Sequence, residues 1–253
     1  MLELAAVTAA AALAGFLDAI VGGGGLVLVP ALFSAFPAAA PATLFGTNKT
    51  AAVWGTAWAT AQYARRVTLD WAILVPAAVV AFAGSACGAW AVTHVSGAGL
   101  RRALPFVLLG VLAYTLVRKD LGHVHAPRLG RRAALAVACG IGLVLGFYDG
   151  FFGPGTGSFL VFLLVRLLGY DFLHASAGAK LINAATNLAA IGMFAATGHV
   201  WWRVAAVMAV ANVAGSLLGT RLALRHGSRF VRLVFIVVVG ALILRTGYDA
   251  FLR

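Results

Sequence analysis

Acidic residues are scarce in this 253-residue chain: seven Asp and Glu stand against nineteen Lys and Arg, a formal net charge of +12. Charged residues of both signs make up only 10% of the chain, where a soluble domain carries about 25%. That is too little to cover a water-facing surface. It excludes an ordinary soluble helical bundle, whose helices need a polar face. Cysteine is scarce too. Cys87 and Cys139 lie inside apolar stretches without C-x-x-C spacing, and read as small buried residues. The basic excess does not point to nucleic acid. Most of the Lys and Arg sit in short loops between apolar segments, where they signal topology and contact anionic lipid. Enzyme signatures are lacking as well. Gly46-Thr-Asn-Lys-Thr has no G-x-x-x-x-G-K-[ST] spacing, and the glycine runs lack the strand and acid of a dinucleotide site. With no Ser/His/Asp or metal-ligand cluster, we expect no enzyme, cofactor or metal site.

What the chain has in abundance is apolar sequence, 62% by composition. Runs of roughly 18 or more apolar residues can span a bilayer. The candidates are 3–21, 42–64, 72–93, 100–118, 131–148, 173–196, 202–223 and 229–249, with shorter runs at 25–36 and 156–168. The fold expected is all-α: a polytopic integral membrane protein. The run from Leu4 to Leu17 has no base before it, so it reads as a retained helix and not a signal peptide.

The chain also contains itself twice. The shift that carries Gly15 onto Gly146 also carries Phe16, Asp18, Gly22 and Gly24 onto Phe147, Asp149, Gly153 and Gly155. It takes Lys49 to Lys180, Trp71 to Trp202, and Gly84, Ser85 and Gly88 to Gly215, Ser216 and Gly219, without a gap. Two repeats follow, 1–118 and 131–253, joined by a polar linker at 119–130 that holds His123 and His125. Duplicated halves with charges and glycine breaks at matching depths are a transporter pattern, with the substrate site between the halves.

Charge counting orients the repeats. As one helix, 3–36 would be about 50 Å long, too long for a ~30 Å hydrocarbon core. It is interrupted at Gly22–Gly25, and its partner at Gly153-Pro-Gly-Thr-Gly157. If each region bends and crosses once, the loop bases divide 9 to 7 between the sides. If each turns back as a hairpin, one side holds Arg65, Arg66, Arg118, Lys119, Arg128, Arg131, Arg132, Arg166, Arg221, Arg225, Arg229 and Arg232. The other then holds Arg101, Arg102, Arg203 and Arg253, a 12 to 4 division. The positive-inside rule favours the hairpins. Each half then has an odd number of crossings, the halves are inverted, and both termini face outside the cytoplasm. Whether the hairpins span or are re-entrant stays open; 25–36, about 18 Å if helical, favours re-entrant.

The candidate site follows from these breaks. Short helices starting near Leu26 and Ser158 would aim N-terminal N–H groups and partial positive charge at the membrane centre, an anion site. Gly22, Gly23, Gly24 and Gly25, and Gly153, Gly155, Thr156, Gly157 and Ser158, would supply those donors. Lys49 and Lys180 lie roughly 10 Å inside their segments, where a lysine costs ~2.5–3.5 kcal/mol on insertion scales. Asn183 and Asn187 follow Lys180 on one helical face. Asp18 and Asp149 end the first helix of each hairpin, where an acid opposes the dipole. Three roles are open to them: accepting glycine-loop N–H groups, pairing with Lys49 or Lys180, or carrying a proton. Arg166, His174 and His199 are expected in loops; Gln62 and Asn212 read as ordinary interhelical hydrogen bonds; Trp71, Trp201 and Trp202 form an aromatic belt.

The phrases Gly15-Phe-Leu-Asp-Ala-Ile-Val-Gly-Gly-Gly-Gly and Gly146-Phe-Tyr-Asp-Gly-Phe-Phe-Gly-Pro-Gly-Thr-Gly resemble the sulfite exporter TauE/SafE family of multi-pass transporters. Ala175-Ser-Ala-Gly-Ala-Lys-Leu-Ile-Asn is similar too. The resemblance covers nearly the whole chain. It implies transport of a small sulfur-containing anion such as sulfite, sulfoacetate or a related organosulfonate. The reading is a secondary transporter in the cell (inner) membrane, moving its anion by alternating access. An anion channel or a membrane enzyme using the same cavity is the alternative. The partners implied are the anion, protons or another coupling ion, and the bilayer; a homo-oligomer is compatible, nucleic acid is not.

Overall fold

The structure is a computed structural model and describes residues 2–96, 98–100, 106, 126 and 129–251. Its regular elements are helices: α1 (Leu2–Val21), α2 (Gly24–Ala35), α3 (Pro41–Ala64), α4 (Trp71–Thr93), α5 (Arg131–Phe151), α6 (Thr156–Leu168), α7 (Phe172–Ala196) and α8 (Trp202–Phe251). Gly227, at φ 69°, breaks α8 into two parts. The expected span 100–118 and the linker with His123 and His125 lie almost wholly outside the described residues.

Among the described residues, five helices are long and apolar enough to cross a membrane: α1, α4, α5, α7 and the Trp202–Gly227 part of α8. The sequence reading also expected 42–64. As α3 it has 24 residues, about 36 Å of helix. It is more polar than the others because Thr47, Asn48, Lys49, Thr50 and Thr56 all turn inward and are buried. Trp71 and Trp202 open α4 and α8 and are exposed, as a belt requires. Cys87, expected buried, is exposed on the outer surface. Arg166 and His174, expected in loops, are helical. Arg166 lies in the last turn of α6, and His174 in the first turn of α7. That turn is fixed by Asp171, which accepts from the N–H groups of Leu173 and His174 at 2.8 Å.

The two short helices turn back. Gly22 donates to the Asp18 carbonyl, and Gly24 seats against Ala14 and the Asp18 Cβ. Leu28, Val29 and Leu32 of α2 share a buried cluster with Val7, Ala11 and Ala14 of α1. At 12 residues, α2 is about 18 Å long, roughly half a bilayer core.

The long helices pack between the halves, α4 on α5 and α1 on the first part of α8. Glycine sets the distance. Ala77, Ala81 and Ser85 carbonyls of α4 lie over Gly142, Gly146 and Gly150 of α5, where a Cβ has no room. The order rises along both helices, so they run parallel. Ala12 and Phe16 of α1 meet Gly215 and Gly219 of α8 in the same rising order. The contacts exchange under the repeat shift. Gly84 and Gly88 lie against Leu143 and Phe147, as Gly215 and Gly219 lie against Ala12 and Phe16. Ser85 Oγ donates to the Thr186 carbonyl and Ser216 Oγ to the Gly55 carbonyl, both at 2.7 Å.

Candidate functional site

Each first helix ends in a glycine turn because the chain must reverse there. Gly22, Gly153 and Gly155 have φ of 77°, 92° and 82°, the left-handed region that side chains avoid. A helix end leaves carbonyls without intrahelical partners, and three hydroxyls meet those of α1. Tyr63 donates to Ala19 at 3.0 Å, Ser176 to Ile20 at 3.2 Å and Ser158 to Val21 at 3.1 Å. The turn after α5 is held by Tyr148, whose hydroxyl donates to the Pro154 carbonyl at 2.6 Å. The short helices begin at Gly24 and Thr156, two residues before the expected Leu26 and Ser158, and no side chain caps either. The tips touch: Gly22 packs on Gly157, and Gly25 on Pro154.

Between the tips is a narrow cavity of about 30 Å³, room for one or two water-sized groups. Of the residues read from sequence, Gly22, Gly24, Gly25, Lys49, Gly153, Gly157, Asn183 and Asn187 line it, as do Asp18 and Asp149. The others stand behind this wall. Gly23 and Gly155 are the N-caps of α2 and α6. The Thr156 hydroxyl donates to the Gly153 carbonyl at 2.9 Å, and Ser158 is committed to Val21. Lys180 is buried behind Asp18.

The charges pair across the halves. Lys49 Nζ of the first half lies 2.5 Å from Asp149 Oδ2 of the second. Lys180 Nζ of the second lies 3.2 Å from Asp18 Oδ2 of the first. These are one contact with the halves exchanged. Of the three roles open to the acids, pairing is the one this arrangement displays. Each ammonium thus faces a carboxylate of the other half. Out of water such charges need a close partner and further hydrogen bonds. Asp18 accepts from Lys180 and lies 3.1 Å from the Thr56 hydroxyl, whose proton it shares with the Ala52 carbonyl at 3.0 Å.

The asparagines complete the polar lining. Asn187 donates to Asn183 Oδ1 at 3.0 Å. Asn212 also lines the cavity while donating to the Ala11 carbonyl at 3.2 Å, as an interhelical bond was expected to do. Asn48 lines it too, with its buried Oδ1 unpartnered. Asn48, Thr56 and Asn212 were not among the candidates. Their signal in the sequence is a polar residue on an otherwise apolar helix, which does not separate lining from packing.

A bundle of apolar helices enclosing backbone N–H groups, ion pairs and amides at the tips of two broken hairpins has the architecture of a membrane transporter. Residues 7–246 match the profile of the family described as Sulfite exporter TauE/SafE. "Probable membrane transporter protein YfcA" of Escherichia coli (strain K12) is 36% identical over 240 residues, covering 95% of this chain and 88% of that protein. "Probable membrane transporter protein ORF9" of Sinorhizobium sp is 35% identical over 243 residues, covering 96% and 91%. A "Probable membrane transporter protein" of Haemophilus influenzae is 34% identical over 241 residues, covering 93% and 91%. No solved structure matches. The chain belongs to the TauE/SafE family of multi-pass membrane transporters.

Proposed function

We propose that this protein is a secondary transporter of a small oxyanion, sulfite or an organosulfonate such as sulfoacetate, bound between the two halves and released unchanged. The observation that carries the reading is the meeting of two glycine tips and two crossed ion pairs at one buried cavity. Uncapped helix N-termini favour anions, and the amides of Asn183 and Asn187 can orient oxygens. Lys49 is the ammonium nearest the bound anion. The small cavity describes a closed form, so substrate reaches it only when the halves move. Alternating access of one half against the other supplies that movement.

The inverted relation of the halves belongs to the same reading. Short loops make α1 to α4 alternate in direction, and α5 runs parallel to α4; the second half then starts opposite to the first. Together with the 12 to 4 division of bases, this supports the reading of a loop after α3 in the cytoplasm and both termini outside, with the inner membrane as the bilayer proposed.

The test is counterflow of radiolabelled sulfite in proteoliposomes. A transporter saturates and exchanges; a channel conducts without saturation, and an enzyme changes its ligand. Lys49→Ala abolishes the exchange. Undiminished exchange by that variant refutes the site.

A further inference from the structure

The two crossed ion pairs are equivalent by position and different in chemistry. Asp18 is 15% exposed and faces Lys180 Nζ and the Thr56 hydroxyl, which is shared with the Ala52 carbonyl of its own helix. Asp149 is 1% exposed and has Lys49 as its ion-pair partner. The repeat shift shows why they differ. Thr56 becomes Asn187 in the second half, and the Asn187 amide is spent on Asn183 Oδ1, not on Asp149. The lysines differ too. Lys49 lines the cavity and lies against Gly153 at the hairpin tip. Lys180 is 0% exposed and does not line the cavity. An anion in the cavity therefore meets Lys49 and competes for it with Asp149 alone.

We propose that Asp149 is the binding site of the coupling proton and that its protonation frees Lys49 for the anion, while Asp18 and Lys180 stay paired as a structural tie. This rests on the transport reading above. The balance is simple. A proton adds to an Asp149 carboxylate oxygen, and the carboxylic acid formed no longer holds Lys49, which keeps its charge. The site passes from neutral to +1, and a univalent anion on Lys49 returns it to neutral. On release the anion leaves and Asp149 gives up its proton to reform the pair. One proton moves with each such anion.

Other titratable groups around Asp149 do not supply this step. Asp18 of α1 and Lys180 of α7 hold each other across the cavity. Tyr148, next on α5, donates to Pro154. On α4 the only titratable residue between Trp71 and Thr93 is Cys87, which is exposed. Arg166 of α6 is in that helix's last turn, and His174 of α7 is beside Asp171 in its first.

The experiment compares two sulfite fluxes in proteoliposomes, counterflow at equal pH and uptake driven by a pH step. With one proton per anion, a one-unit step supports up to about tenfold accumulation. In Asp149→Asn the counterflow that remains is no longer raised by the pH step, so the ratio of step-driven uptake to counterflow falls to its value without a step. Asp149→Glu, which keeps an ionisable carboxyl, restores the accumulation. The pair variant Asp18→Asn with Lys180→Gln lowers both fluxes together and leaves their ratio as in the unmodified protein. Should Asp149→Asn fail to insert or exchange, Asp149→Glu carries the test: it must shift the pH dependence of the step-driven accumulation, and an unshifted profile overturns the assignment. Accumulation that survives Asp149→Asn, as when the proton rides on bisulfite, overturns the assignment; so does a ratio that collapses in the Asp18 and Lys180 variant. An unmodified protein with no sulfite counterflow overturns the transport reading, and this assignment with it.

Discussion

The contact between the hairpin tips makes a graded prediction at two glycines of one turn. Gly22 has φ of 77°, and a Cβ there falls on the Gly157 backbone. An alanine costs ~1–2 kcal/mol for the left-handed conformation alone. Forcing a methyl group against a packed backbone adds ~1–3 kcal/mol. Together these disfavour the touching-tip form by about 2–5 kcal/mol, at least a 30-fold change in population. Gly25 has an ordinary helical φ, and its Cβ would lie 3.2 Å from Pro154 Cα. That contact asks the Pro154 backbone to give by a few tenths of an ångström, far less than the overlap at Gly22, and no left-handed φ adds to it. Gly25→Ala should therefore be near neutral. Thermal unfolding of the purified protein in detergent reads stability, and sulfite counterflow reads the site. Gly22→Ala should lose melting temperature and exchange; Gly25→Ala should keep both. Equal losses from the two variants would mean that the tips do not pack this way, and the cavity between them would go with the contact.

Two further outcomes follow from the crossed charges and the topology. Lys180→Met leaves the partly buried Asp18 carboxylate with the shared Thr56 hydroxyl beside it, and should cost up to ~3 kcal/mol of stability, the low end for breaking a buried pair. Adding Asp18→Asn should recover most of that loss, so a double variant no more stable than the single would break the argued pairing. In a background with Cys87 and Cys139 replaced by alanine, Thr197→Cys should react with an impermeant maleimide on intact cells. Arg66→Cys should react only after permeabilisation; labelling of both from one side would sink the inverted arrangement.

The repeat was legible because the residues it conserves between halves are the ones with no freedom. Gly15 and Gly146, or Gly88 and Gly219, sit where another helix's carbonyl occupies the space of a Cβ. The transmembrane reading was equally direct, since apolar length leaves few alternatives. The partner of each lysine was not legible. Asp18 precedes Lys49 by the same spacing that separates Asp149 from Lys180, so pairing within a half and pairing across halves look identical in sequence. Only the packing of α1 on α8 and of α4 on α5 brings each acid to the other half's lysine. The lining was half legible for a similar reason. A helix wheel puts Asn183 and Asn187 beside Lys180. No periodicity says that Asn48 and Asn212 face the same cavity from different helices.

Crossed pairing has a consequence that pairing within each half would not. Two ion pairs closed inside separate halves would travel with them and resist nothing when the halves move. Here Lys49–Asp149 and Lys180–Asp18 both tie one half to the other, and at least one tie must loosen before the tips can part. Breaking a buried pair without compensation costs ~3–5 kcal/mol, which would suppress opening of an empty, unprotonated site by roughly 150- to 5,000-fold. Under the proposed assignment, an anion on Lys49 together with a proton on Asp149 would remove that cost in one step, whereas either ligand alone would leave a charge exposed to the apolar interior. The proposed coupling of anion to proton and the proposed coupling of binding to movement would then be the same electrostatic event.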